Sequence, residues 1–204
     1  METASRDWRT AIPSENADRR VLDEFVQRTK NASTEVHRVH GIKESIKIIL
    51  DIANGMKAKT VVAVPGTLLD ESGLIEDLKH AGLQVFTSKE DIASHVDTAD
   101  IGISEVEFGI AESGSVCQHA TEAVSRLVSS LPPVHVAFMK SERIVTGIQD
   151  AIDILSKGFD SGYVSWLTGP SRTADIERVL TIGVHGPSRF ILILVDEAGG
   201  KGVQ

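Results

Sequence analysis

Cysteine occurs once in the 204 residues, as Cys117, and that scarcity sets the first bound. A single thiol cannot form an intramolecular disulfide framework, and it fits a reducing compartment. An ordinary iron–sulfur cluster takes about four thiolates, so the chain cannot hold one alone. Long apolar runs are also missing. The longest, Thr60–Pro65 and Phe190–Val195, fall far short of the roughly 20 residues that span a bilayer, and they read as buried strands. No block of lysine or arginine exists, and the formal net charge is −8, which removes the electrostatic footprint of a nucleic-acid binder. Neither a phosphate-loop consensus nor Gly-x-Gly-x-x-Gly is present, and no internal repeat is seen. The polar stretch Met1–Arg20 lacks the apolar centre of a secretory signal, so the expected location is cytoplasmic.

What remains is an average soluble composition, 41% hydrophobic and 25% charged, in a chain long enough for one core and short for two domains. The periodicity predicts a flexible or docking tail over 1–16, one α/β domain over 17–197 and a frayed, glycine-rich tail over 198–204. Helical stripes are expected at Val21–Val26, from Lys43 to Asn54, at Leu74–Ala81, at Ala120–Val128, at Ile148–Leu155 and at Ile176–Leu180. Strands are expected at Glu35–Val39, Thr60–Val64, Leu83–Phe86, Val134–Met139, Tyr163–Leu167 and Phe190–Val195, the last closing the sheet. This alternation predicts an open, mainly parallel sheet with helices on both faces. Between Ala99 and Val116 apolar residues alternate with polar or small ones, which predicts a small β-rich insert with one exposed face.

Three segments can carry chemistry. In Thr168-Gly169-Pro170-Ser171-Arg172-Thr173-Ala174-Asp175-Ile176-Glu177 a glycine turn follows a strand and is expected to open directly into a helix. Free N–H groups there would face the crevice outside the strand's carboxyl end, and Arg172 could grip a carboxylate or phosphate through two hydrogen bonds. The plainer reading has Ser171 and Thr173 as caps, with Arg172 paired to Asp175 or Glu177. In Gly183-Val184-His185-Gly186-Pro187, His185 is either a general acid/base or a turn histidine. In Glu112-Ser113-Gly114-Ser115 a carboxylate sits beside a turn able to offer N–H groups, so Glu112 is a nucleophile candidate or a solvated turn residue. His37 and His40, three apart in a strand, point to opposite faces and make a poor metal pair. Cys117 reads as a buried small hydrophobe.

Glu112–Ser115, Leu131-Pro132-Pro133-Val134-His135-Val136, Thr168–Glu177 and Gly183–Pro187 together resemble, in order and spacing, the LUD domain family in its lactate-utilisation branch. The similarity runs from Val21 to Asp196. It implies a fold like that of phosphosugar isomerases, glucosamine-phosphate deaminases and coenzyme A transferases. It also implies a non-redox component of a system that converts L-lactate to pyruvate with two iron–sulfur proteins as partners. The clusters would reside on those partners, and this chain, without cofactor or metal of its own, would bind a small anion. On this reading the ligand residues are Ser113, Gly114, Ser115, Gly169, Ser171, Arg172, Thr173, Asp175, His185 and Gly186. Self-association into a homo-oligomer is left open. The alternative is an autonomous coenzyme A transferase-like or phosphosugar isomerase-like enzyme using Glu112 or His185. Two departures stand out: Ser113 replaces a common Thr, and Cys117–Ser130 looks helix-forming where relatives carry a glycine-rich turn.

Overall fold

A computed structural model describes residues 8–12, 18–157, 163–173, 181–183 and 185–196. Its frame is a six-stranded sheet in which every neighbouring pair is parallel: β1 (Glu35–Val39), β12 (Arg189–Val195), β7 (Val134–Lys140), β4 (Ile101–Glu105), β2 (Thr60–Ala63) and β3 (Gln84–Phe86), in that spatial order. The uninterrupted apolar runs form this sheet because strands covered on both faces have no polar side to show. The final strand does not close the sheet as expected. β12 lies inside it, between β1 and β7.

Alternate residues divide the sheet into two faces. On one, Val61, Ala63, Ile101, Ile103, Val136, Phe138, Ile191 and Ile193 pack against α2 (Ser45–Met56), α3 (Thr67–Ser72) and α4 (Leu74–His80) through Ile49, Ile52, Leu69, Leu74 and Leu78. The opposite face is covered in two parts. Val62 meets α5 (Lys89–His95) and α6 (Ala123–Ser130) through Ile92 and Val128. Ala137, Met139, Phe190, Leu192 and Leu194 meet α1 (Arg19–Asn31) through Leu22 and Phe25. Helices therefore lie on both faces, as the alternation predicts.

A second sheet completes that opposite face. It has four strands in the order β8 (Ile144–Val145), β5 (Phe108–Ile110), β6 (Ser115–His119) and β9 (Val164–Leu167). β5 and β6 form an antiparallel hairpin, β9 runs antiparallel to β6, and β8 pairs parallel to β5. The β-rich insert is thus real but drawn differently from the expectation. Ile101–Glu105 belongs to the parallel sheet, and the insert takes its strands from two separate crossovers. Nor is one of its faces exposed. Ala111, Val116 and Ile144 pack toward the parallel sheet, while Phe108, Ile110, Cys117 and Val145 pack against Ile12, Ala151 and Ile154, the last two from α7 (Ile148–Ser156). The expected helix over Ala120–Val128 begins later, at Ala123, because Ser115–His119 extends as β6. Carboxylates tie neighbouring strands together at their amino ends. Arg189 grips Glu35 through two hydrogen bonds of 2.7 and 2.8 Å, and Asp100 accepts from both Lys59 and Thr60 backbone N–H groups at 2.7 and 2.9 Å.

Candidate functional site

Part of the motif set converges. Gly169 and Ser171, which follow β9, and His185 and Gly186, which precede β12, line one cavity of about 390 Å³ together with Ser129, Ser130, His135, Thr168 and Phe190. Its placement differs from the expectation. His135 and Phe190 stand near the amino ends of β7 and β12, so the cavity opens at the amino end of the parallel sheet and not outside its carboxyl ends. The expected helix start is also corrected. Arg172–Thr173 forms a strand, β10, antiparallel to β11 (Thr181–Ile182). The Ser171 N–H donates to the Pro187 carbonyl at 2.9 Å, so it is no free helical donor. Arg172 is exposed and donates to the Ser33 hydroxyl. Asp175 and the stripe expected over Ile176–Leu180 lie outside the described residues.

The second motif braces the insert. The Glu112 carboxylate accepts from the Ile148 N–H at 2.9 Å, and Asp150 accepts from the Gly147 N–H at 2.9 Å, so the two acids cap the amino end of α7. The Gly114 carbonyl accepts from the Thr29 hydroxyl of α1 at 3.1 Å. Ser115 shares a 2.6 Å hydrogen bond with Thr168, joining this motif to the wall of the cavity. The Ser113 hydroxyl is buried without a partner among the described residues.

A second cleft, also of about 390 Å³, escaped the sequence reading altogether. It lies where β2 crosses over to β3 at one edge while β4 leads the opposite way to β7. Such a reversal of strand order opens a crevice at the carboxyl ends, the usual ligand position in open α/β sheets. Val64–Leu68 follow β2, Ser104–Glu107 end β4, Gln118 and His119 end β6, and Lys140 and Arg143 lie at and just beyond the end of β7. Three acids line this cleft, Glu105 and Glu107 half-buried and Glu122 exposed. Burial raises the Glu105 carboxyl above the usual range, with Glu107 and Asp70 adding to the rise, while N–H groups of Leu69 and Leu68 act against it. The Leu69 bond measures 2.8 Å. No short motif marks this cleft. Its residues come from four separate segments, and only the strand order unites them.

Three buried polar side chains link the cleft to the first cavity. His135 and Ser104 are 1% exposed, and Gln118 is 1% exposed as well. The His135 Nε2 and Ser104 Oγ atoms lie 2.8 Å apart, and Gln118 Nε2 donates to Ser104 Oγ at 3.1 Å. Complete burial pushes the imidazole down to about 3, so His135 is neutral at physiological pH.

Comparison with known proteins gives this arrangement a family. The sequence matches the LUD domain over residues 22–195. The chain belongs to the LUD domain family. Lactate utilization protein C of Bacillus subtilis is 34% identical over 113 residues, 53% of this chain and 47% of that protein, so the match spans about half its length. Lactate utilization protein C of Halalkalibacterium halodurans is 28% identical over 188 residues, 86% of this chain and 80% of that protein. In fold, a DUF162 family protein of Deinococcus radiodurans superposes with a TM-score of 0.64 at 19% identity, covering 86% of this chain and 96% of the other.

Within this LUD domain, thiol chemistry is confined to Cys117. Its side chain is fully buried, and burial pushes the thiol up to about 12. One inaccessible, protonated thiol does not fit an iron–sulfur cluster, whose ligands are several thiolates. Among the described residues no helix of the LUD domain is long and apolar enough to cross a membrane.

Proposed function

We propose that this LUD domain is a non-redox component of a lactate-utilisation system and that it binds a small anion in the cleft at the strand-order reversal. Iron–sulfur proteins acting as partners would carry the electrons from lactate to pyruvate. The observation that carries the reading is the cleft's position together with its cations: Lys140 and Arg143, alongside Glu105, Glu107 and Glu122, line a crevice at the carboxyl ends of β2, β4 and β7. Cations there offer a carboxylate charge-assisted hydrogen bonds. Support for lactate comes from the names of the similar proteins. Support for partners comes from the single buried thiol, which does not fit the several thiolates that hold an iron–sulfur cluster.

The Ser171–His185 cavity is a weaker anion site. Arg172, the cation expected there, is not among its lining residues and is turned to Ser33. Deletion of the gene should abolish lactate oxidation by cells, and an Arg143→Ala copy should fail to restore it. Undiminished oxidation in the deletion strain would end the proposal.

A second reading, an autonomous enzyme of the coenzyme A transferase or phosphosugar isomerase kind, has one observation in its favour. Glu105 combines a raised carboxyl with a place in the cleft, the pairing a general acid/base needs. Glu112 is a poorer candidate because its carboxylate is committed to α7. On this reading Glu105→Gln abolishes turnover of an acyl-coenzyme A or phosphosugar substrate, and Glu112→Gln does not.

A further inference from the structure

His135, Ser104 and Gln118 form a line of groups with one end at each cavity. His135 lines the amino-end cavity, while Ser104 and Gln118 line the cleft. Each of them is 1% exposed, so water hardly competes along the line. Burial keeps the imidazole neutral, and a neutral ring carries one N–H and one acceptor nitrogen. With Nε2 as the acceptor, the ring takes the Ser104 hydroxyl proton at 2.8 Å, the Ser104 oxygen accepts from Gln118 Nε2 at 3.1 Å, and the ring proton sits on Nδ1. This order leaves Gln118 Oε1 buried and without a hydrogen-bond partner among the described residues. The reverse order fits the same atom positions. Nε2–H donates to Ser104, the Ser104 hydroxyl donates to Gln118 Oε1 after a half-turn of the amide, and the amide nitrogen takes the place of the unpaired oxygen. Either order bears the desolvation cost of one enclosed group without a partner, so neither is held by a complete set of bonds. Mixed orders lose a bond between the members, because Ser104 has a single hydroxyl proton to give. The two ends therefore switch together.

We propose that these side chains are a reversible relay between the two cavities, in which the proton position on His135 decides whether the Gln118 amide offers the cleft an acceptor or a donor. His135 is then a positioning residue for a cleft it does not line. Switching conserves protons. Ser104 hands its hydroxyl proton to Nε2 and takes one from water in the cleft, and Nδ1 releases one to water in the amino-end cavity. A molecule in that cavity that accepts from Nδ1–H holds the first order, and one that donates to a bare Nδ1 holds the second. Coupling of this kind is reciprocal, so an occupant of the cleft biases the cavity by the same factor. An acceptor placed beside Gln118 selects the amide N–H, and with it the bare Nδ1. Glu105, Glu107, Glu122, Lys140 and Arg143 line the same cleft, yet the line is uncharged in both orders and needs none of them as a partner. The relay stands apart from the reading of the cleft as an anion site.

Long-range proton–nitrogen NMR of the isotope-labelled full chain tests the relay, because a ring nitrogen that bears the proton and one that does not differ widely in chemical shift. The native sequence should show a neutral His135 with its proton on Nδ1. Gln118→Glu replaces the amide by a group that, once ionised, only accepts. Measured well above the ordinary carboxylate range, this variant should move the ring proton to Nε2, two hydrogen bonds away from the substitution. In a Ser104→Ala background the same exchange at position 118 should leave the ring as it is, since the link is gone. A role confined to packing would shift stability in these variants without moving the ring proton. A native ring protonated on Nε2, a ring proton that stays on Nδ1 in Gln118→Glu, or a movement that survives Ser104→Ala would each overturn the relay. If Gln118→Glu does not fold, Gln118→Met keeps the shape and removes the donor. The Nε2–H signal should then appear in it, and a ring that stays wholly on Nδ1 overturns the relay as well.

Discussion

His135 shows how one residue couples burial to pH. Its folded value, down to about 3 from an ordinary 6.5, means that the unfolded chain takes up a proton between those values while the folded chain does not. The contribution is therefore complete above pH 6.5 and is lost as pH falls toward 3, at about 1.4 kcal/mol per pH unit within that window. Glu35, Asp100 and Asp196 are held below the ordinary carboxylate range, so their losses begin only at lower pH. Glu105 has the opposite sign, since a raised carboxyl favours the fold as pH drops. Urea midpoints at pH 7 and pH 5 should thus differ clearly in the native sequence and much less in His135→Gln. An unchanged difference would remove His135 as the cause. The residue was legible as part of an apolar strand and of a family motif, without a role. A histidine inside Val134–Met139 gives no sign of its partners, because Ser104 and Gln118 come from other strands. Cys117, by contrast, was readable as a small hydrophobe, since one thiol among apolar neighbours has little else to do.

At the level of elements, the two motif glycines act through packing. Gly114 and Gly169 both have left-handed backbones, with φ of +66° and +77°. A Cβ on Gly114 would stand 2.5 Å from the Arg28 and Thr29 backbone, and one on Gly169 would stand 2.1 Å from the Ala32 carbonyl. The carboxyl end of α1 therefore rests directly on the turns after β5 and β9. Gly114→Ala and Gly169→Ala should each cost about 2 kcal/mol or more, by chemical denaturation, through strained φ and lost contact with α1. A cost within a few tenths of a kcal/mol would show that α1 can retreat without penalty. Most strands and helices along the parallel sheet were legible because long apolar runs and amphipathic stripes are local signals, but β4 was read into the insert, and the short helices α3 and α5 gave no stripe long enough to assign. The stretch from Ser171 was not. Ser-Arg-Thr-Ala-Asp carries the residue types of a helix cap, yet Arg172 and Thr173 pair with Ile182 and Thr181, and such pairing leaves no local mark.

For the whole molecule, strand order is the property no single segment encodes. Two crossovers of opposite direction create the cleft at β2 and β4, and the parts of the insert return from two separate crossovers to one sheet. That insert is not an independent unit. Val106, Ala111, Val116 and Ile144 share one apolar cluster with Phe25 of α1 and with Ala137, Met139, Leu192 and Leu194 of the parallel sheet. Opening the insert alone would expose both sides of this contact, so the two sheets should unfold in one cooperative step. Cys117 reports on that step, because its thiol lies on the outer side of the insert beneath Ile12, Ala151 and Ile154. Labelling with a thiol reagent should be very slow in the native state, and its dependence on denaturant should follow the loss of circular dichroism with the same midpoint. Sub-global opening of the insert would instead give labelling at denaturant concentrations where the helical signal is intact. That outcome would also bear on function, since His119 and Gln118 end β6 and line the cleft. A cleft walled by an independently opening insert would lose the Gln118 and His119 side of its lining whenever the insert opened.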